Sequence, residues 1–295
     1  MGLCRLGAAA CLAFLALLAS CAPARTPDSL IVVTMPPETL ELPAGYQLVW
    51  SDEFDRPSLP APDKWTYDTH RNRSGWYNAE AQYYARARAD NTRVEDGRLV
   101  IEAHAETLDR KRFRDWGGQR YSSGRLVTRG RAGWTYGFFE VSARMPCTRG
   151  TWPGIWLFPL DDDGVWGAGE IDLAEHVGLE PGVVHHSVHT SARNFLTGDH
   201  PTARSAVPDA CTAFHRYQLL WTQDRIVMGV DGRAAFAAAR REAGGEWPFR
   251  HPMYLILNLA VGGTWAGRDG IDDAGFPARL EIDYVRVYQA EGREG

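Results

Sequence analysis

Three acidic side chains lie within six residues of one another in one short segment of the chain. If this segment is a strand, Glu170 and Asp172 share a face, because successive side chains alternate between the two faces. Glu175 has the opposite parity and would point into the core. One extra residue, a β-bulge around Leu173 and Ala174, would return Glu175 to the face of the other two. The spacing therefore predicts three carboxyl groups along one groove.

Carboxyl groups this close together cannot all keep their ordinary pKa values. Mutual repulsion and partial burial predict that one stays protonated near neutral pH while another is ionised. Retaining glycoside hydrolysis requires this division, with an ionised nucleophile and a protonated acid about 5 to 5.5 Å apart. The alternative is a set of solvent-facing charges on an edge strand, which three acids alone do not exclude.

The chain around these acids has the period-two alternation of strands. Strand patterns occur at residues 98–103, 136–145, 217–221, 225–230, 253–261 and 279–288. One helix is predicted, at residues 234–241. Many strands separated by Gly and Pro predict an all-β fold, an antiparallel β-sandwich, in a single domain over residues 45–290.

The composition limits the classes of protein and partner. The chain has 295 residues, of which 44% are hydrophobic, with 11 each of Trp, Tyr and Phe. This apolar and aromatic content excludes intrinsic disorder. The formal net charge is −5, and no basic run is long enough to neutralise several phosphates, which argues against nucleic acid as a partner.

The N-terminal residues have the pattern of an export signal. Residues 1–20 carry one charge, Arg5, followed by an apolar run too short to span a membrane. The run ends in Leu-Ala-Ser before Cys21, which resembles the lipobox of bacterial lipoproteins and implies acylation of that cysteine. The alternative is cleavage after Ala24, which gives a soluble secreted protein. Residues 21–44, rich in Pro, Thr and Ala, are interpreted as a flexible tether, so that membrane attachment rests on the lipid alone.

Two cysteines remain after the signal and Cys21 are set aside, namely Cys147 and Cys211. An even pair in an oxidising compartment predicts a disulfide bond between them. The alternative is two unpaired buried thiols, and counting cysteines does not show whether the two are close in space.

The motif Glu-x-Asp-x-x-Glu at residues 170–175 resembles the catalytic signature of family 16 glycoside hydrolases, in the bulged form of the laminarinase-like branch. Further blocks resemble that family in the same order, at residues 48–54, 91–103, 150–156, 184–190, 254–265 and 283–288. The resemblance implies a concanavalin-like jelly roll. It also implies an endo-acting enzyme that hydrolyses β-1,3 bonds of a polymer such as laminarin with retention of configuration and without a catalytic cofactor.

The resemblance assigns roles residue by residue. Glu170 resembles the nucleophile, Glu175 the general acid/base, and Asp172 a residue that adjusts the charge and orientation of the nucleophile. Trp152 and Trp156 resemble aromatic residues of the sugar-binding groove, where a ring stacks on the apolar face of a pyranose; the alternative is two core tryptophans. The remaining substrate-binding candidates are Trp76, Asn78, Arg125, His189 and Trp265.

One segment departs from the family pattern. Laminarinases commonly have Trp-x-Asn-Asn-Glu-Leu-Gln where residues 76–82 of this chain have Trp-Tyr-Asn-Ala-Glu-Ala-Gln. Ala79 lacks an amide, and Ala81 lacks apolar bulk. The departure puts in doubt the contacts at the glycone subsites, and therefore the preferred linkage.

The resemblance further implies a structural Ca²⁺ ion away from the catalytic carboxyl groups. The matching positions are Glu53, Gly97 and Asp283, acting partly through backbone carbonyls, and oxygen ligands suit Ca²⁺. The alternative is that Asp283 is a solvent-facing strand residue. A catalytic metal at the three histidines of residues 185–189 is not expected, because strand alternation turns one of them away from the other two.

Other functions share the same residues. Mixed-linkage β-1,3-1,4-glucanases and transglycosylases both remain alternatives. A non-catalytic glucan-binding module would keep the aromatic residues and lose the carboxyl groups, so the presence of all three acids argues against it. The expected partner is a β-glucan polymer bound by a monomeric, exported protein.

Overall fold

Alternating apolar and polar side chains form strands over most of the described chain. The computed structural model describes residues 31–161, 167–240 and 247–291. The export signal and Cys21 lie outside these residues, so the predictions for them stay predictions. A short helix, α1, spans Gly263–Ala266, and two 3₁₀ turns span Tyr77–Ala79 and Asp273–Gly275. The strands are β1 (Ile31–Val33), β2 (Tyr46–Asp52), β3 (Thr66–Tyr67), β4 (Gln82–Tyr84), β5 (Thr92–Glu95), β6 (Arg98–Ala105), β7 (Tyr121–Ser123), β8 (Arg125–Val127), β9 (Gly137–Arg144), β10 (Thr151–Pro159), β11 (Glu170–His176), β12 (Val183–His189), β13 (Thr202–Ala206), β14 (His215–Trp221), β15 (Arg225–Val230), β16 (Arg233–Arg240), β17 (Met253–Val261) and β18 (Ala278–Ala290).

These strands form two sheets. The eleven-stranded sheet has the order β1-β16-β15-β14-β9-β18-β6-β7-β4, with β2 paired to β18 and β5 paired to β6. The seven-stranded sheet has the order β13-β12-β11-β10-β17-β8-β3. Neighbouring strands are antiparallel, apart from the parallel pair β4 and β7. The predicted all-β, antiparallel sandwich is confirmed.

The hydrophobic core lies between the two sheets. The seven-stranded sheet contributes Ile155 and Ile171, and the eleven-stranded sheet contributes Phe139 and Leu280. Strand β17 is buried along its whole length, as its unbroken apolar run predicts. Because one face of the seven-stranded sheet packs against the core, its other face is left for polar and aromatic side chains.

Strand β16 replaces the helix that was predicted at residues 234–241, so that prediction was wrong. Asp231 and Gly232 form the two-residue turn before it, with φ values of 51° and 81°, which is the left-handed conformation that hairpin turns require. The alanines that follow pair with β15, and Ala237 and Ala238 are buried. A helix this short has little stability of its own, so the hairpin outweighs the helix propensity of alanine.

The segment before β2 is packed on the protein and is not a free tether. Strand β1 pairs with β16 at the edge of the eleven-stranded sheet. Leu40 is buried in a small cluster with Phe138 and Val227, on the face of that sheet turned away from the core. The tether prediction is therefore wrong for residues 31–44, because one buried leucine and an edge pairing fix a segment of unstructured composition. It stays a prediction for residues 21–30.

A disulfide joins Cys147 and Cys211, whose Cα atoms are 5.7 Å apart. Cys147 precedes β10 of the seven-stranded sheet, and Cys211 precedes β14 of the eleven-stranded sheet. The bond therefore links the chain segments that enter the two sheets. Within the described ranges, no helix combines the length and hydrophobicity needed to span a bilayer.

Candidate active site

The bulge predicted in the acidic segment is present in β11. Asp172 pairs with Trp156 of β10, and Glu175 pairs with Gly154. Two residues of β11 therefore lie opposite Ile155, where a regular strand would place one. The pairing of β11 with β12 shows the same irregularity between Asp172 and Glu175.

The bulge decides which side chains face the core. Leu173 and Ala174, the two residues of the bulge, are both fully buried. The residue after them consequently returns to the face that carries Glu170 and Asp172. We call this side of the seven-stranded sheet the groove face. The three acids lie on it together, as the spacing predicted.

A row of paired residues crosses the groove face at the level of Glu175. It runs from Arg125 of β8 through Asn258 of β17 and Gly154 of β10 to Glu175. A Cβ atom at Gly154 would meet Asn258 Oδ1 at 3.0 Å and the ring of Trp156 at 3.1 Å. Because Gly154 has no side chain, the groove is deeper beside Glu175. This depth leaves room for a ligand.

Glu175 is half-buried and accepts a hydrogen bond from the indole N–H of Trp152, with an Nε1 to Oε1 distance of 2.9 Å. Burial raises the pKa of the Glu175 carboxyl to about 7. The positive charge of His189 and the hydrogen bond from Trp152 oppose this rise, whereas the negative charges of Glu170 and Glu80 add to it. A carboxyl group with this pKa can donate a proton at neutral pH and later take one back.

Asp172 lies beneath the other two acids, with 3% of its surface exposed. Burial, and then the negative charge of Glu175, raises its pKa well above the usual value. A hydrogen bond joins its carboxyl group to that of Glu170, and His189 Nε2 lies 3.1 Å from its Oδ2. The stacked ring of His200 packs against His189, with centroids 4.5 Å apart. The structure thus brings His189 to the carboxyl groups.

Trp156 and Arg125 lie together on the groove face. Trp156 donates a hydrogen bond to Asn258 Oδ1 at 2.7 Å. The guanidinium group of Arg125 lies 4.9 Å from the centroid of the Trp156 ring and 5.3 Å from that of the Trp76 ring. A salt bridge of 2.9 Å to Asp68 fixes it there. Arg125 is buried, so the expected polar subsite residue also supports two aromatic rings.

Trp76 lies deep in the groove face, beside Arg125. It is only 4% exposed, donates its indole N–H to Asn72 Oδ1 at 3.1 Å, and packs edge-to-face on Tyr84 with centroids 4.6 Å apart. It lies one layer below the surface and supports Arg125. Sequence spacing cannot separate a groove aromatic from one that lies directly beneath it.

The predicted residues Asn78 and Trp265 lie on either side of Gly263. A Cβ at Gly263 would meet the Asn78 carbonyl oxygen at 3.1 Å and the Trp152 ring at 3.5 Å. Trp265, in α1, packs edge-to-face on Trp152 with centroids 5.2 Å apart. Both predicted residues therefore lie beside the tryptophan that holds Glu175.

Two further residues of the site were not among the predicted ones. Asn258 joins Trp156 to the hydroxyl of buried Tyr84, with an Nδ2 to oxygen distance of 3.1 Å. Glu80 is close enough to Glu175 for its charge to raise the pKa of that group. A lone amide within the apolar run of β17 was the available signal for Asn258, and Glu80 stands in a matching family position.

The side chain of one expected calcium ligand, Glu53, already has a cationic partner. The carboxylate of Glu53 accepts two hydrogen bonds from Arg286, to Oε1 at 3.0 Å and to Oε2 at 2.8 Å. Asp283 is exposed on β18, and Gly97 lies in the turn between β5 and β6. A cation bound by the Glu53 carboxylate would have to displace a bidentate arginine, which already supplies the positive charge.

A separate cavity lies away from the groove face. It has a volume of about 790 Å³ and is lined by residues at one end of the eleven-stranded sheet, including Tyr46, Tyr136 and Gln289. Asp224 is the one carboxylate in its lining. A paired acid and nucleophile are thus found on the groove face and not in this cavity.

The chain is similar to several known proteins. The family model of glycosyl hydrolases family 16 matches residues 79–286. A β-glucanase of Rhodothermus marinus is 46% identical over 256 residues, which cover 83% of this chain and 85% of that protein. The crystal structure of a mutant of SCLam, a non-specific endo-β-1,3(4)-glucanase, with a bound glucan oligosaccharide is similar with a TM-score of 0.83 and 47% identity, over 87% of this chain and all of that one. A laminarinase structure from Rhodothermus marinus gives a TM-score of 0.76 and 47% identity, over 83% of this chain and 97% of that one.

Proposed function

The chain belongs to glycosyl hydrolases family 16, and from that membership and the geometry of its acids we propose that it is a retaining endo-β-1,3-glucanase acting on laminarin-type glucans. Enzymes of this kind need no catalytic cofactor. The observation that carries the proposal is the position of Glu175, which shares the groove face with Glu170 while its pKa is raised to about 7.

In the first step, a carboxylate oxygen of Glu170 attacks the anomeric carbon while Glu175 donates its proton to the glycosidic oxygen. The glycosidic bond breaks, one part of the polymer leaves as an alcohol, and a glucosyl ester forms on Glu170. Asp172, whose pKa burial raises well above its usual value, shares a hydrogen bond with Glu170 and so holds the nucleophile in position.

In the second step, water takes the place of the departed alcohol. Glu175, now ionised, accepts a proton from the water while the water oxygen attacks the anomeric carbon. The ester bond breaks and Glu170 returns to a carboxylate. Two inversions at the same carbon restore the original configuration.

The test is to assay Glu170→Gln and Glu175→Gln on laminarin by release of reducing ends. Each change removes a group that acts in the chemical step, so we expect turnover to fall by at least about 10²–10⁴-fold with an unchanged thermal midpoint. Glu41→Gln, at an exposed acid outside the groove face, is the matched control. Near-full activity of Glu175→Gln on this unactivated polymer would overturn the assignment.

Mixed-linkage β-1,3-1,4-glucan is the second candidate substrate. The observation in its favour is the similarity to SCLam, which is described as acting on β-1,3(4)-glucans. Product analysis on laminarin, lichenan, curdlan and agarose distinguishes the two candidate substrates. Products in which a glycosyl group has been transferred to another sugar would reveal transglycosylation. Cleavage of lichenan at the rate of laminarin would assign the broader specificity.

We also propose that the protein is exported and acylated at Cys21. The signal pattern and the Cys147–Cys211 disulfide, which suits an oxidising compartment, support this. When the gene is expressed in a bacterium with lipoprotein processing, we expect the protein in the membrane fraction and the Cys21→Ser variant in the soluble fraction. Equal fractionation of the two would contradict acylation.

We propose, finally, that the domain acts as a monomer and is stabilised without Ca²⁺. The Glu53–Arg286 salt bridge supports the second point, because it supplies the charge that a cation would bring. Chelation with EDTA should leave the thermal midpoint unchanged, and light scattering should give one chain per particle. A lower midpoint that Ca²⁺ restores would show that a calcium site exists.

A further inference from the structure

An exposed aromatic ring stands at one end of the groove face without a role in the reaction described above. Tyr77 is 53% exposed and follows the buried Trp76. The 3₁₀ turn that begins with it packs against α1, which carries Trp265. Single exposed aromatic residues are common and need no explanation by themselves. The contacts that hold this ring in one orientation, however, do call for an explanation.

Two neighbours, Arg71 and His70, fix the orientation of Tyr77. The guanidinium group of Arg71 lies over its ring, 4.7 Å from the centroid. His70 Nε2 lies 3.4 Å from the Tyr77 hydroxyl, and His70 Nδ1 lies 2.6 Å from Asp68 Oδ1. His70 thus bridges the Asp68 carboxylate and the Tyr77 hydroxyl with its two ring nitrogens. The ring is thus pre-oriented although much of it is open to solvent.

The same carboxylate connects Tyr77 to the catalytic row. Asp68 Oδ2 pairs with Arg125 at 2.9 Å, and Arg125 is three strands away from Glu175 in the row that crosses the groove face. At the usual strand spacing this separation is about 14 Å. Burial would raise the pKa of Asp68, but Arg125 and His70 outweigh it and lower the value. The chain of contacts from Tyr77 through His70 and Asp68 therefore ends at Arg125, three strand spacings from Glu175 across the groove face.

We propose that Tyr77 is the platform of a distal subsite, on which a glucosyl ring of a long glucan chain stacks. This inference rests on the proposed function. A rigid, half-exposed tyrosine offers a flat apolar surface at low entropic cost, which suits the apolar face of a pyranose ring. Only a chain long enough to reach Tyr77 gains from the contact, so the ring makes the enzyme favour long substrates.

The test measures kcat/KM on laminari-oligosaccharides from the trisaccharide to the heptasaccharide. The readout is the ratio of the value for the longest to that for the shortest member. In Tyr77→Ala we expect this ratio to fall about three- to tenfold, because one stacking contact is lost. In Tyr77→Phe, which keeps the ring, the ratio should stay within about twofold of the wild type.

Phe214→Ala is the matched control, because arginines 98 and 144 also stack on this ring, outside the groove face. Its ratio should equal that of the wild type even if its thermal midpoint falls. An unchanged ratio in Tyr77→Ala, or an equal loss on all chain lengths, would overturn the inference. A wild type that hydrolyses none of the oligosaccharides would instead refute the proposed function.

Discussion

The proton affinity of Glu175 is set by neighbours that act in opposite directions. The hydrogen bond from Trp152 stabilises the ionised carboxylate and lowers its pKa, whereas the negative charge of Glu80 raises it. Glu175 must be protonated in the first step. The rate should therefore decline as the pH rises through about 7, where this acid loses its proton.

Two substitutions should move this alkaline limb in opposite directions. Trp152→Phe removes the hydrogen bond to the carboxylate, so the limb in kcat/KM should shift above its wild-type pH. Glu80→Gln removes a nearby negative charge, so the limb should shift below it. The measurement is the pH profile of kcat/KM on laminarin. Trp156→Phe is the control, since that indole donates to Asn258, and shifts of the same sign in both variants would contradict this account of Glu175.

A second prediction concerns the strained backbone of Ala79. Its φ of 58° is left-handed, a conformation that asparagine tolerates and that costs most other residues about 1 kcal/mol. Ala79→Asn should therefore stabilise the fold by about that amount and raise the thermal midpoint by about 2–4 °C. Ala105→Asn, at an exposed strand residue, should give no such gain. A midpoint for Ala79→Asn at or below the wild type would refute the strain argument.

At the scale of elements, the bulge in β11 can be tested by changing its length. Deletion of Ala174 would leave Leu173 alone opposite Ile155, with Asp172 still opposite Trp156 and Glu175 opposite Gly154. The acids keep their face, so we expect activity to survive within about 10²-fold, the loss that a displacement of about 1 Å can cause.

Insertion of one alanine after Ala174 is the counterpart of this deletion. It reverses the parity of Glu175 and turns the carboxyl group toward the core, so both activity on laminarin and the thermal midpoint should collapse. Comparable activities in the deletion and the insertion variants would show that the bulge does not orient the acid.

Parity also explains how much the sequence could predict. Alternation and the acid spacing predicted the sandwich and the bulge, because both follow from the period of two in a strand. The helix at residues 234–241 was predicted wrongly. Its alanine content indicates only a local preference for helix, whereas the pairing with β15 that decides the structure is a tertiary interaction. The depth of Trp76 below Arg125 was not predicted, because it depends on loops that no periodicity describes. The connection between Arg125 and Tyr77 through Asp68 and His70 was not predicted, for the same reason.

At the scale of the whole molecule, the disulfide closes a loop of 64 residues that contains both of the proposed catalytic glutamates. Cross-linking restricts the unfolded chain, so loss of the bond should cost about 2–4 kcal/mol. The Cys147→Ser/Cys211→Ser variant should therefore unfold about 5–15 °C lower than the oxidised protein. The wild type in reductant, unfolded in parallel, should match the variant. Equal midpoints for the oxidised protein and the variant would show that the bond contributes nothing.

The entry of the chain at the edge of the eleven-stranded sheet has a consequence for where products go. Ile31 pairs with Arg240 in the sheet that carries no catalytic acid, and ten residue steps, about 35 Å when extended, separate it from Cys21. A protein anchored at Cys21 would be attached on the side of the eleven-stranded sheet. The groove face of the other sheet would then be directed toward the medium. Long polymers would then reach the cleft from the medium, and the shortened sugars would be released close to the cell envelope.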